Sequence, residues 1–102
     1  MVNRLKLFSV LDVKAGAFKP VFCVPSVGEA ERAFLDVCSN DELDMGKHPE
    51  DYQLYCVGEF DEFEGTVTST EKFHVANGMQ AMAMQGHRLG PADGERAVKE
   101  VM

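Results

Sequence analysis

Residues 4–38 read RLKLFSVLDVKAGAFKPVFCVPSVGEAERAFLDVC, and two side-chain periods meet in them. From residue 4 to 11 the chain alternates. Leu5, Leu7 and Leu11 fall to one side, with Ser9 interrupting them, while Arg4, Lys6, Phe8 and Val10 fall to the other. A period of two is that of a β-strand. Asp12-Val13-Lys14-Ala15-Gly16 supplies turn residues, with Gly16 free to take positive φ. Ala17 to Val24 returns as a second strand. Pro20 has no backbone donor, so it assigns that strand to a sheet edge or interrupts it. At Pro25 the period changes. Ser26 and Glu29 form an S-x-x-E capping box, in which each side chain reaches the other's backbone amide. Val27, Ala30, Ala33, Phe34, Val37 and Cys38 then recur at helical spacing, with Glu29, Glu31, Arg32 and Asp36 opposite them. The stretch predicts a β-hairpin followed by an amphipathic helix that ends at Ser39-Asn40-Asp41.

Beyond the helix, residues 39–51 are a polar connection containing Gly46 and Pro49. Residues 52–60, YQLYCVGEF, alternate again as a strand. Tyr52, Leu54, Cys56, Gly58 and Phe60 share one face, and Gln53, Tyr55, Val57 and Glu59 share the other. Acids closing on Gly65 make a turn, and Thr66 to Thr70 form a β-branched returning strand. Phe73 to Ala76 read as a short strand or docking arm, and Asn77 as the cap of a short helix over Gly78 to Gln85 carrying Met79, Met82 and Met84. Residues 86–94 are a Gly- and Pro-rich linker, and Glu95 to Met102 a short final helix. The expected fold is α+β, a small antiparallel sheet in the order β-β-α-β-β with one amphipathic helix packed on it. Residues 1–71 are expected to form the domain and 72–102 a C-terminal arm. One helix leaves the second sheet face uncovered. Large apolar patches rarely stay exposed on monomers, so a homodimer is expected.

At 102 residues the chain has room for one domain. No apolar run approaches the ~18–20 residues of a membrane span, and MVNRLKLFSVLD lacks the pattern of a signal peptide. Both point to the cytoplasm and away from a membrane. Cys23, Cys38 and Cys56 are odd in number and form no CxxC, so they read as small buried apolar residues and not as a disulfide framework or a zinc site. His48, His74 and His87 form no HxxxH, and there is no GxSxG, Walker A or GxGxxG. Glu50-Asp51 and Asp61-Glu62-Phe63-Glu64 read as solvated turns, too short for a calcium loop. The sequence therefore predicts no enzyme, no metal and no cofactor.

Charge is uneven along the chain. Residues 1–22 hold Arg4, Lys6, Lys14 and Lys19 against Asp12 alone, whereas residues 23–71 hold thirteen acids against Arg32 and Lys47, and the whole chain stands at −7. Phosphate neutralisation by Lys and Arg drives nucleic-acid binding, so such a protein would bind only through a local basic face. The N-terminal hairpin offers one. Arg4, Lys6, Lys14 and Lys19 interleave with Phe8, Phe18 and Phe22, and single strands are held by a basic groove with aromatic faces on which bases stack. Phe18 and Phe22 share a strand face that reads as core. That leaves Phe8, and after it Tyr55, to stack on bases. On the plainer reading the phenylalanines are core, the lysines its rim, and the acids serve solubility. An alternative function uses Glu29, Glu31, Asp36, Glu50, Asp51, Asp61 and Glu62 as an acidic surface that docks on a basic partner protein.

Two stretches carry a family resemblance. KLFSVLDVKAGAFKPVF (Lys6 to Phe22), with the helix bearing Ala30, Arg32, Ala33 and Phe34, is followed in the same order by KHPEDYQLYCVGEFDEFEGTV (Lys47 to Val67). Over about residues 5–67 the chain resembles the small non-structural protein of microviruses of the gokushovirus type, tailless phages with single-stranded circular DNA genomes. Its most specific part is PEDY-x-L-x-x-x-G-E-F-D. The resemblance implies a DNA-binding protein absent from the virion. It would act in the host bacterial cytoplasm, in genome replication or in the switch to single-strand synthesis and packaging. No family catalytic motif comes with it, and on the alternative function it implies that the basic partner is a phage or host replication protein.

Overall fold

The computed structural model describes residues 4–81. They form a small α+β protein dominated by one curled antiparallel sheet. The elements are β1 (Arg4–Asp12), β2 (Ala17–Phe18), β3 (Phe22–Val24), α1 (Val27–Cys38), α2 (Asp44–Lys47), a 3-10 turn at Pro49–Asp51, β4 (Tyr52–Asp61) and β5 (Thr66–Asn77). The sheet runs β2-β1-β4-β5, and β3 also pairs with β1. The returning strand 17–24 is thus two short pieces separated around Pro20, the break its missing donor predicts. β5 is longer than its β-branched start suggests. It continues to Asn77, past residue 72, where the sequence reading begins an arm. Most of the expected 78–85 helix and all later segments lie outside the described residues.

Local chemistry shapes both long hairpins in the same way. Asp12 Oδ1 accepts from the amides of Lys14 and Ala15, each at 3.1 Å, and the Gly16 amide donates to Asp12 O at 2.8 Å. Asp61 repeats this with Phe63, Glu64 and Gly65. Gly16 and Gly65 both sit at φ +70°, which glycine adopts without strain. Ser26 caps α1, its Oγ accepting from the Glu29 amide at 3.2 Å from an extended backbone.

The core lies between α1 and one sheet face. Phe8, Val10, Tyr52, Leu54, Cys56 and Ala76 from the sheet meet Ala30, Phe34, Leu35 and Cys38 from the helix. On the helix, Leu35 takes a buried place that the periodicity gave to Ala33, which is exposed. Cys38 and Cys56 are buried as expected, but Cys23 is exposed. Burial pushes the Cys38 thiol up to about 11, so it is a packing group with little thiolate character at neutral pH.

β1 departs from simple alternation. Leu7, Phe8, Ser9 and Val10 are all buried. The ladder jumps from Leu7↔Gly58 to Phe8↔Cys56, leaving Val57 as an extra residue on β4. A bulge of this kind bends the bulged strand and increases its twist. On the face away from the helix, the Ser9 hydroxyl donates to Lys19 O at 2.6 Å, so the connection around Lys19 covers it.

Candidate nucleic-acid interface

Register fixes which side chains share the face opposite the helix. Residues directly opposite in a ladder point the same way. Phe8, Val10, Leu54 and Cys56 mark the core face. Their alternates mark the other. Ser9 pairs with Tyr55 and Tyr55 with His74, while Leu11 pairs with Gln53 and with Phe18, and Gln53 with Asn77. An aromatic row results. The Phe18 and Tyr55 ring centroids lie 5.6 Å apart, those of Tyr55 and His74 5.4 Å apart, and both pairs meet edge to face. Phe18 is 43% exposed, Tyr55 is half-buried and His74 is exposed. In the tautomer protonated at Nε2, His74 donates to Gln53 Oε1, which fixes the end of the row. None of the residues in this register network is acidic, although the chain carries −7.

The six residues singled out from the sequence do not converge. Phe8, expected on the surface, is completely buried and stacks on Phe22 at 5.8 Å, so no base can reach it. Lys6 and Phe8 do share a strand face, but it is the face the helix covers. Phe18, expected in the core, is exposed instead. Tyr55 stands on the open face. Arg4 Nη1 lies 3.2 Å from Glu59 Oε1 and Lys6 Nζ 3.7 Å from Glu59 Oε2. Exposed pairs like these are worth roughly 0–1 kcal/mol, so the bonds hold the cations weakly. The carboxylate beside them nevertheless repels an incoming phosphate. Lys14 and Lys19 lie toward the other end of β1, a strand of nine residues spanning roughly 30 Å. Lys14 sits in the Asp12–Gly16 turn, and Lys19 Nζ stands 5.8 Å from the Tyr52 ring centroid. Neither makes an ion pair among the described residues. The basic hairpin is therefore two separated clusters, and the one at the Phe18 end makes no ion pair among the described residues.

His74 was missed as a member of the row. No motif marks it, because the register that brings it beside Tyr55 includes shifts on both sides of the pair. Sequence spacing missed a second grouping. One ligand atom each of His48, Glu50 and Asp51 lie within 4.8 Å of one another at the surface before β4. Exposed acidic groups are common without an ion, and His48 and Glu50 of this trio are exposed and Asp51 half-buried. Tyr52, beneath it, has its hydroxyl pKa raised by burial and by Asp12, Asp44 and Asp51. No helix among the described residues is long and apolar enough to cross a membrane.

Comparison with known proteins places this surface in context. Residues 5–81 match the family described as "Phage ORF5 protein", nearly the whole of the described chain. No curated protein and no solved structure matches.

Proposed function

The chain belongs to the phage ORF5 protein family, and on that premise we propose that it is a non-enzymatic accessory protein that binds single-stranded DNA through the Phe18–Tyr55–His74 row. Lys14 and Lys19 supply the phosphate contacts at one end. It works in the cytoplasm of the bacterial host, in genome replication or the switch to single-strand synthesis and packaging, as a protein of gokushovirus-type microviruses would. The reading keeps Tyr55, Lys14 and Lys19 from the sequence, exchanges Phe8 for Phe18, adds His74 and sets Arg4 and Lys6 aside. The carrying observation is an exposed aromatic row on a face whose register network holds no carboxylate, in a protein otherwise rich in them. Stacking suits such a row, since every base has a π-face and each stacked base contributes about 1–3 kcal/mol.

Fluorescence anisotropy of a labelled strand of ~30 nucleotides tests this at low and at physiological salt. Saturable binding that weakens with salt, is weaker for duplex and drops at least tenfold in Tyr55→Ala is the expected result. A flat titration at both salts overturns the reading. The acidic docking function then takes its place. That alternative draws on the β4–β5 turn, where Phe63 is 75% exposed between Glu62 and Glu64.

A further inference from the structure

We propose that β5 is a dimerisation edge, pairing antiparallel with β5 of a second copy about a two-fold axis centred on Thr70. The two edges of the sheet differ sharply. Outside β1 lie only β2 and β3, of two and three residues, with Pro20 between them. Short strands and proline are among the devices that keep an edge from pairing. β5 has neither. It is twelve residues long and contains no proline, among the described residues it pairs with β4 on one side only, and Thr66 to His74 are exposed throughout. Between Ser69 and Phe73 the β4–β5 register shifts, and among the described residues Thr70, Glu71 and Lys72 have no register partners. Thr66, Val67, Thr68 and Thr70 are β-branched residues suited to a ladder.

Symmetry selects the register. A two-fold axis normal to a sheet sets one residue opposite its own copy, and side chains directly opposite share a face. The nine exposed residues are centred on Thr70. That centre sets Val67, 65% exposed, opposite the partner's Phe73, 49% exposed, twice over. It sets Glu71 opposite the partner's Ser69 and Lys72 opposite the partner's Thr68. Centring on Glu71 or Lys72 opposes like charges, which is destabilising, and centring on Ser69 sets Val67 against Glu71. Thr70 is thus the centre that covers the exposed span, joins its two large apolar side chains and opposes no like charges.

The pairing stands on the edge of β5 and does not depend on DNA binding, but it has a consequence for it. An axis normal to the sheet leaves both aromatic rows on one side of a continuous sheet. The two His74 side chains are then eight residues apart along the strands, roughly 27 Å.

Light scattering behind size exclusion gives the mass, and cysteine cross-linking gives the register. The expected mass is twice that of the 11.3 kDa chain. In a Cys23→Ser background, Thr70→Cys should form an intermolecular disulfide under mild oxidation, since opposed Cβ atoms stand about 4.5–5.5 Å apart, near a disulfide's span. Val67→Cys should not, because its copies are six residues apart, roughly 20 Å. Thr70→Lys should yield folded monomers with the wild-type circular-dichroism spectrum and a melting temperature that, unlike the wild type's, does not rise with protein concentration. A monomeric wild type overturns the proposal, as it would be if residues 82–102 of the same chain cover the edge. So does a dimer that cross-links through Val67→Cys and not Thr70→Cys, or one that survives Thr70→Lys.

Discussion

Phe8 and Phe18 carry the same ring on neighbouring strands, and their surroundings give them opposite duties. Phe8 is enclosed by the helix and by Phe22, so truncating it removes buried surface and leaves a cavity. Phe8→Ala should cost about 3–5 kcal/mol, a large part of what a domain of this size has in reserve. Phe18 is 43% exposed and touches the Tyr55 ring by its edge. Phe18→Ala should cost less than about 1 kcal/mol, while weakening single-strand binding. Urea denaturation of both variants, set beside their anisotropy titrations, separates the roles. A Phe8→Ala protein that folds normally, or a Phe18→Ala protein that barely folds, would reverse the assignment. Alternation put Lys6 and Phe8 on one face correctly. It could not say whether the helix covers that face or the other, and so exposure was expected of Phe8 where Phe18 has it.

At the scale of elements, the legible features were those written in local chemistry. The capped helix, the first hairpin with its break at Pro20, and the β4 strand all follow from period, turn residues and a missing donor. The length of β5, the bulge at Val57 and the row through His74 were not legible, because register between distant strands decides them and no residue announces a shift. The two Asp-to-Gly turns show how tightly local chemistry acts where it does. Each uses an aspartate oxygen to gather two amides and a glycine at φ +70° to leave the turn. Nothing lies within 4 Å of a Cβ added at Gly65, so its requirement is conformational rather than steric crowding by neighbours. Gly65→Ala should therefore cost about 1–2 kcal/mol, and Gly65→Asn less, since Asn tolerates the left-handed region. Thermal melts of the pair check this. Equal losses for Ala and Asn would show that the turn does not depend on that conformation.

For the whole molecule, the decisive property is where the charge lies. Glu29 and Asp36 project from exposed positions on the helix, acids fill the connection before β4 and the β4–β5 turn, and Glu59 sits between Arg4 and Lys6. The residues paired across the aromatic row include none of these acids. On the proposed reading, a strand following that row would run across the sheet from Phe18 through Tyr55 to His74, and would meet Lys14 and, round the sheet edge on the Tyr52 side, Lys19, but not the Arg4 end. The salt dependence of binding counts these contacts. For single strands, the logarithm of affinity falls with the logarithm of salt at about 0.7 per neutralised phosphate. Two lysines predict a slope of about −1.4 per protomer, and all four basic residues about −2.8, by the same relation. The discriminating variant is Glu59→Gln, which frees Arg4 and Lys6 without touching the row. Its slope should stay at the wild-type value, whereas Lys14→Gln with Lys19→Gln should bring it near zero. A Glu59→Gln slope that doubles would put the nucleic acid along β1 instead, on the path the alternation of Arg4 and Lys6 first suggests, and would remove His74 from the interface.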